Sequence, residues 1–396
     1  MAPIISKLFF NFNSPGSGFT SVKSQWQNPN DILSILTIIG GDIVQRAVAQ
    51  LSGHPSYITP VAFSFGWVGY TLNMVVGILG EGRIMPPADC DCVVVNAKSQ
   101  YSRINRSWVL GRIVRDHDKN PLKPGLTVSF FKTCQNDLDT AQGIPKADWV
   151  YFSGLGTILL QLAIAVVPGA CYADWTILAV TAIGTILALV GGGLPKWKKE
   201  KWNGRVSRPG DRTVVCLSRG NGYSDVIVII SEGEGHYKLE DLANARTAPV
   251  TGTIWAALVL CIAQILLLLT VAGLNSNAWY LLAIGTFGMI QNALAAGVRR
   301  DPSTSGIHFK PMLDDNQLPI VIAEEKVFRA LKRAEEVEPY VGLCLLPVFF
   351  PGGLRPDEER WRDERIAKNT VSQPTCPNGI TSPPQVPEPV HTYPPN

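Results

Sequence analysis

Residues 31–51 read DILSILTIIGGDIVQRAVAQL, and the fold turns on how this stretch is placed. Residues 32–51 match the roughly 20 apolar residues that a bilayer-spanning helix needs. Asp42 and Arg46 nevertheless sit near the middle of the stretch. A charge at that depth costs roughly 2.5–3.5 kcal/mol, so it should be paired and turned to protein or water. Four residues apart, with the acid first, the two share a helix face and are expected to pair. Gln45 joins that face, and Gln50 makes the whole side polar. The stretch then has two readings, a spanning helix or an amphipathic helix lying in the interface. The uncharged half before Gly41 and the short connection to the next apolar run favour spanning.

Outward from this stretch the pattern repeats. Of 396 residues, 46% are hydrophobic and 17% charged, and the two kinds are segregated. Apolar runs near 20 residues long alternate with polar intervals, as in a polytopic membrane protein. The expected fold is therefore α-helical, with about six transmembrane helices arranged as three hairpins. Its parts are a polar tail (1–30), hairpin 1 (31–80), a cytosolic segment (81–148) and hairpin 2 (149–195). A second cytosolic segment (196–252), hairpin 3 (253–298) and a third cytosolic segment (299–355) follow, then a disordered Pro-rich tail (356–396).

The hairpin tips, residues 52–59, 169–174 and 274–278, carry no Lys or Arg. The positive-inside rule places them across the membrane from the long intervals, with both termini cytosolic. Trp149, Trp175, Trp197, Trp279 and Tyr280 fall at span ends, where amphipathic rings favour the headgroups. Within the intervals, CVVVNA (92–97), LTVSFFK (126–132), TVVCLSR (213–219) and DVIVIIS (225–231) read as strands. AEEKVFRALKRAEEV (323–337) reads as an amphipathic helix. Together they predict a small mixed α/β unit.

The chemistry is mostly narrowed by exclusion. A net charge of +3 without a basic, aromatic-interleaved tract gives no reason to expect nucleic acid. No phosphate-binding GxxxxGK[ST] and no HExxH occur. LSRGNG (217–222) and SEGEG (231–235) lack dinucleotide spacing and read as turns. Cys90 and Cys92 have no second pair at zinc-finger spacing, and the eight cysteines fall largely in a reducing compartment. NDLDT (136–140) and DDNQ (314–317) fall short of the clustered acids that would hold Mg²⁺ on a diphosphate. No metal and no cofactor are expected. What is left is acids at or in the membrane: Asp42, Glu81 and Asp174. A carboxyl in apolar surroundings keeps its proton and can act as a general acid. Asp42 and Glu81 are the candidate acids, and Arg46, Trp67 and Tyr70 are candidates to line a cavity, where aromatic faces can stabilise a carbocation. The competing reading makes Asp42–Arg46 a neutralised structural pair and Glu81 a helix end.

GGDIVQRAVAQL (40–51), PVAFSFGWVGY (60–70), NRSWVLGRIVRD (105–116), LPKWKKEKW (194–202) and LSRGNG (217–222) resemble a family of filamentous-fungal multi-pass membrane proteins. Some of its members are encoded in secondary-metabolite gene clusters, and the likeness runs over about residues 30–300. The resemblance implies an endoplasmic-reticulum membrane and a lipophilic, prenylated small molecule as partner, beside other biosynthetic enzymes on the same membrane. Some fungal membrane proteins of such clusters are terpene cyclases that protonate an olefin or epoxide. The expected function is thus a metal-independent, proton-initiated cyclase. The alternative is a non-enzymatic scaffold or small-molecule carrier.

Overall fold

The computed structural model describes residues 40–371 except 57, 119–124, 135–140 and 275–276. The expected tail 1–30, the first half of the opening stretch, NDLDT and residues 372–396 lie outside the described residues. In chain order the helices are α1 (Gly41–Leu51), α2 (Trp67–Gly80), α3 (Trp108–His117), α4 (Trp149–Tyr172), α5 (Thr176–Gly192) and α6 (Pro195–Lys201). They continue with α7 (Leu239–Ala243), α8 (Thr253–Ala272), α9 (Ala278–Gly297), α10 (Val327–Val337), α11 (Val341–Phe349) and α12 (Pro356–Val371). The strands are β1 (Val93–Asn96), β2 (Ser102–Ile104), β3 (Leu126–Thr133), β4 (Arg212–Ser218), β5 (Asp225–Glu232), β6 (Phe309–Pro311) and β7 (Val321–Glu324).

Among the described residues, four helices are long and apolar enough to cross a membrane: α4, α5 with its α6 extension, α8 and α9. The Asp148 carboxylate caps α4 by accepting from the Tyr151 amide at 3.1 Å. The left-handed Ala173 ends it. Outward these helices present bare apolar side chains, among them Phe152, Leu159, Ile186, Val259, Leu269 and Ile290. In water such a surface would be an aggregation liability, whereas lipid solvates it. Trp149, Trp175 and Trp279 are exposed at helix ends as expected, but Trp197 is a buried core residue.

The first expected hairpin is different. Gly40 has φ 92°, a left-handed conformation that interrupts any single helix through the opening stretch, and α1 begins only at Gly41. After α1, residues 52–56 lie at the end of the bundle that carries the basic residues. Lys201 donates to the Ser52 carbonyl (3.0 Å), Arg300 to the Gln50 carbonyl (3.3 Å) and Thr59 to the Gly192 carbonyl (2.8 Å). The expected opposite-side tip at 52–59 is therefore corrected. From there residues 59–66 enter the bundle without helical structure. Phe63 packs where glycines of α5 and α9 make room, and Phe65 packs beside Gly285. The chain turns at Gly66 and leaves as α2, whose end meets the same charged side through Ile84 and Met85, bonded to Glu200. Both ends of 59–80 thus lie on one side, and the segment is re-entrant rather than a spanning helix.

Around it the helices close a ring in the order α4, α5, α8, α2, α1, α9 and back to α4. Although joined by a short connection, α8 and α9 pack on α2, α5, α1 and α4 rather than on each other. The short helices α1 and α2 separate them.

The polar intervals come together in one seven-stranded mixed sheet, ordered β2-β1-β4-β5-β3-β6, with β7 also on β3. The β3–β5 pair is parallel and the others antiparallel. Its central strands are apolar on successive residues because both faces are covered. Val94, Val215, Leu217, Ile227 and Ile229 pack with α3 and α7. On the other face Cys216 meets Cys344 of α11 at 3.8 Å. LSRGNG forms the β4–β5 connection, where Gly220 and Gly222 have φ near 90°. At 314–317 the Asp314 carboxylate accepts from the amides of Asn316 and Leu318, which makes a turn. A second compact unit begins at Gly352. It contains α12, so the expected disorder from residue 356 is corrected as far as Val371.

His308 lies buried beside β6. Its Nε2–H donates to the Ile144 carbonyl (2.9 Å), its amide to the Gln142 side-chain oxygen (3.1 Å), and burial holds its pKa below the ordinary 6.5. The unfolded chain therefore takes up this proton at higher pH than the folded chain does. Its contribution is complete above pH 6.5 and is lost as the pH falls through the folded value. Thermal unfolding from pH 7.5 to 5 should show a falling midpoint below about pH 6.5, with a shallower fall in His308→Gln.

Candidate functional site

An unwound backbone inside an apolar bundle leaves carbonyls and amides that lipid cannot satisfy. Carbonyls of this segment are met by uncharged amide side chains, placed in the spans around it. Gln161 of α4 donates to the carbonyls of Phe63 (2.7 Å) and Ile284 (2.8 Å). Asn292 of α9 donates to the Ala62 carbonyl (3.1 Å) and the Ser64 hydroxyl (3.0 Å). The Trp67 indole also donates to Ala62 (3.0 Å). Close approach is secured by glycine. A Cβ at Gly154 would fall 2.1 Å from the Pro60 oxygen, and one at Gly288 only 1.9 Å from the Phe63 oxygen.

Among the described residues, three buried side-chain amide atoms have no partner: Gln161 Oε1, Asn292 Oδ1 and Gln264 Nε2. Gln264, 1% exposed and near the middle of α8, lines a small cavity of about 20 Å³ at the tip of the segment. Its other walls include Ser64, Phe65 and Val68 on one side, and Leu267, Leu268 and Leu281 from α8 and α9. The half-exposed Leu268 forms its rim. The cavity thus lies in the gap between the two helices that do not pack together. It offers a neutral donor in apolar surroundings, which suits an uncharged oxygen acceptor.

Where the ring meets the sheet, α3 supplies a buried ionic layer. Arg112, 1% exposed, pairs with Asp89 (3.1 Å) and Asp116 (3.0 Å). It also donates to the terminal carbonyls of α9 at Ala296 (2.7 Å) and Val298. These carbonyls have no helical partner and sit at the negative end of the helix dipole, so a guanidinium suits them twice over. Arg115 adds a bond to Gly297 (2.8 Å) and a contact with Asp89 (2.7 Å). Arg300 pairs with both oxygens of Asp148, tying the end of α9 to the start of α4.

The residues singled out from the sequence do not converge. Asp42 is exposed in the first turn of α1, and Arg46 pairs instead with Asp89 at 3.1 Å. The expected Asp42–Arg46 pair is replaced by a contact 43 residues away in the chain. Glu81 is exposed and caps the end of α2. Trp67 and Tyr70 are fully buried, edge to face at 5.3 Å, with Tyr70 stacked on Trp197 at 6.3 Å. Neither they nor Arg46 line the cavity beside Gln264. Asp174 joins the two turns at the far end of the ring by accepting from Asn277 (2.9 Å). That bond and the one from Thr176 hold its pKa below the ordinary carboxylate value, the opposite of the rise a proton donor needs.

Among the described residues no group of three or more His, Cys, Asp or Glu is placed to hold a metal ion. Sequence reasoning passed over Gln161, Gln264 and Asn292. Their signal was present, as amides inside otherwise apolar runs, single at Gln161 and Gln264 and paired at Gln291-Asn292.

Comparisons with protein-family models, with curated proteins and with solved structures find no match to this chain.

Proposed function

We propose that the chain is an integral membrane protein that binds a neutral lipophilic molecule against its re-entrant turn, as a carrier or scaffold rather than as a cyclase. The observation that carries this reading is the buried, unpartnered Gln264 amide at the cavity between α8 and α9. The cavity has room for about one water-sized group, so only a carbonyl, ether or hydroxyl oxygen would enter it to satisfy that donor, and the rest of the molecule would lie outside, along the lipid-facing flanks of α8 and α9. The prenylated compounds suggested by the fungal resemblance belong to this class. In the same proposal the sheet faces the cytosol, on the membrane of the endoplasmic reticulum. Acid-initiated cyclisation has less support, because it needs a carboxyl facing an enclosed substrate and both Asp42 and Glu81 are exposed.

The test uses the full chain in yeast microsomes supplied with a linear prenylated phenol. Unchanged compound should co-purify with the protein, and Gln264→Leu should weaken its retention about five- to tenfold, the effect of one hydrogen bond. Conversion to a compound of equal mass but different retention time, abolished by Asp42→Asn or Glu81→Gln, would restore the cyclase and overturn the carrier.

A further inference from the structure

A second cavity, of about 200 Å³, lies at the end of α5 where the apolar helix gives way to α6. Leu194, Pro195 and Trp197 make an apolar wall, and His54, Lys198 and Lys199 supply its polar edge. The basic run PKWKKEK divides its lysines between two tasks. Lys196 is buried against Glu200 (3.1 Å) and the Ala248 carbonyl (3.0 Å). Lys201 is buried against the carbonyls of Ser52 and Gln50. Lys198 and Lys199 are exposed, and no carboxylate among the described residues pairs with either. Nor are they drawn to the end of α5. Thr59 donates to the Gly192 carbonyl (2.8 Å) and the Trp197 indole to the Gly191 carbonyl (3.2 Å).

We propose that this cavity holds the headgroup of an anionic membrane lipid, with the two free lysines on its phosphate and its acyl chains along α5. The inference rests on the membrane placement proposed above. Three features favour a lipid. The cavity is smaller than the roughly 300–1,000 Å³ of sites that enclose a whole drug-sized ligand, so it suits a headgroup whose tails stay outside. Ile186 and Val190, four residues apart on α5, are exposed and apolar on the helix that ends at the cavity. Basic pockets at the membrane surface between apolar helices have the charge that anionic headgroups require.

The experiment compares the full chain reconstituted into vesicles of phosphatidylcholine alone and of phosphatidylcholine with about 5 mol% phosphatidylserine, reading the lipid retained after mild detergent extraction. Phosphatidylserine should be enriched about tenfold over its share of the vesicle, following the attraction expected of two lysines near an anionic surface. Lys198→Gln/Lys199→Gln should bring that enrichment down at least about fivefold with an unchanged melting temperature, since both side chains are exposed. Equal retention of the two lipids, or enrichment that survives the double substitution, would overturn the proposal. Competition by millimolar inorganic phosphate would mean a free-anion site and would overturn it as well. Alkaline carbonate extraction separates the two readings. Release of the chain by carbonate would refute the spanning arrangement, while vesicle flotation would still report the lipid contact.

Discussion

Arg112→Met should be among the most destabilising single substitutions in this chain, at about 3–5 kcal/mol, because it removes one partner of a buried ionic cluster. Asp89 and Asp116 would each lose a buried positive partner, and the Ala296 and Val298 carbonyls at the end of α9 would lose their donor. Arg46→Met touches the same Asp89 from a side chain that is 46% exposed, and such pairs contribute about 0–1 kcal/mol. Thermal unfolding in mild detergent, followed by tryptophan fluorescence, measures both. Equal melting temperatures for the two variants would mean that the α3–α9 junction does not hold the sheet to the ring.

The second large effect is expected at Gly288. Alanine there places a methyl group 1.9 Å from the Phe63 carbonyl oxygen and 2.7 Å from the Gln161 amide nitrogen. Backbone cannot give way as a flexible side chain can, so the re-entrant segment must move. Overpacking of this kind costs about 1–3 kcal/mol, and the displaced Phe63 carbonyl loses its bond from Gln161 as well. Gly156→Ala is the matched control: it lies within α4 with open space around its Cβ position, and alanine favours a helix by about 1 kcal/mol. The two substitutions should therefore shift the melting temperature in opposite directions. Under the proposed function, Gly288→Ala should also weaken retention of the lipophile, since Ser64 and Phe65 of the same segment wall the cavity. A Gly288→Ala protein with native stability and native binding would refute the re-entrant packing.

The local elements were legible wherever local chemistry decides them. Charge-free runs of Leu, Ile, Val and Ala gave the four long helices, because backbone groups in an apolar setting must pair within their own segment. β-Branched runs between turn residues gave β1, β3, β4 and β5 within a residue or two of their observed ends. The amphipathic spacing of 323–337 gave α10 over 327–337, while Ala323 and Glu324 belong instead to β7, which pairs with β3. PVAFSFGW carries the same apolar signal as a spanning helix, and hydropathy cannot tell the two apart. The difference is made by partners far along the chain, Gln161, Asn292 and the glycine at 288, which supply donors and room for an unwound backbone. Trp197 likewise reads as an interface anchor, yet Tyr70 and the Gly191 carbonyl bury it.

The opening stretch shows the division most clearly. By itself the sequence determined that the stretch ending at Leu51, read over 32–51, is helical with a polar side, because Asp42, Gln45, Arg46 and Gln50 recur at helical spacing. Only the tertiary structure decided what that side meets. Local spacing offered Asp42 to Arg46, but Asp89 is buried beside two further arginines and gives Arg46 a better-shielded partner. Tertiary packing also stopped the helix at Gly40. The left-handed turn there brings Gly40 against Gly66, the turning point of the re-entrant segment. Apolar composition fixes which segments leave water, but whether they cross, turn back or stop depends on the distant side chains that receive their backbone.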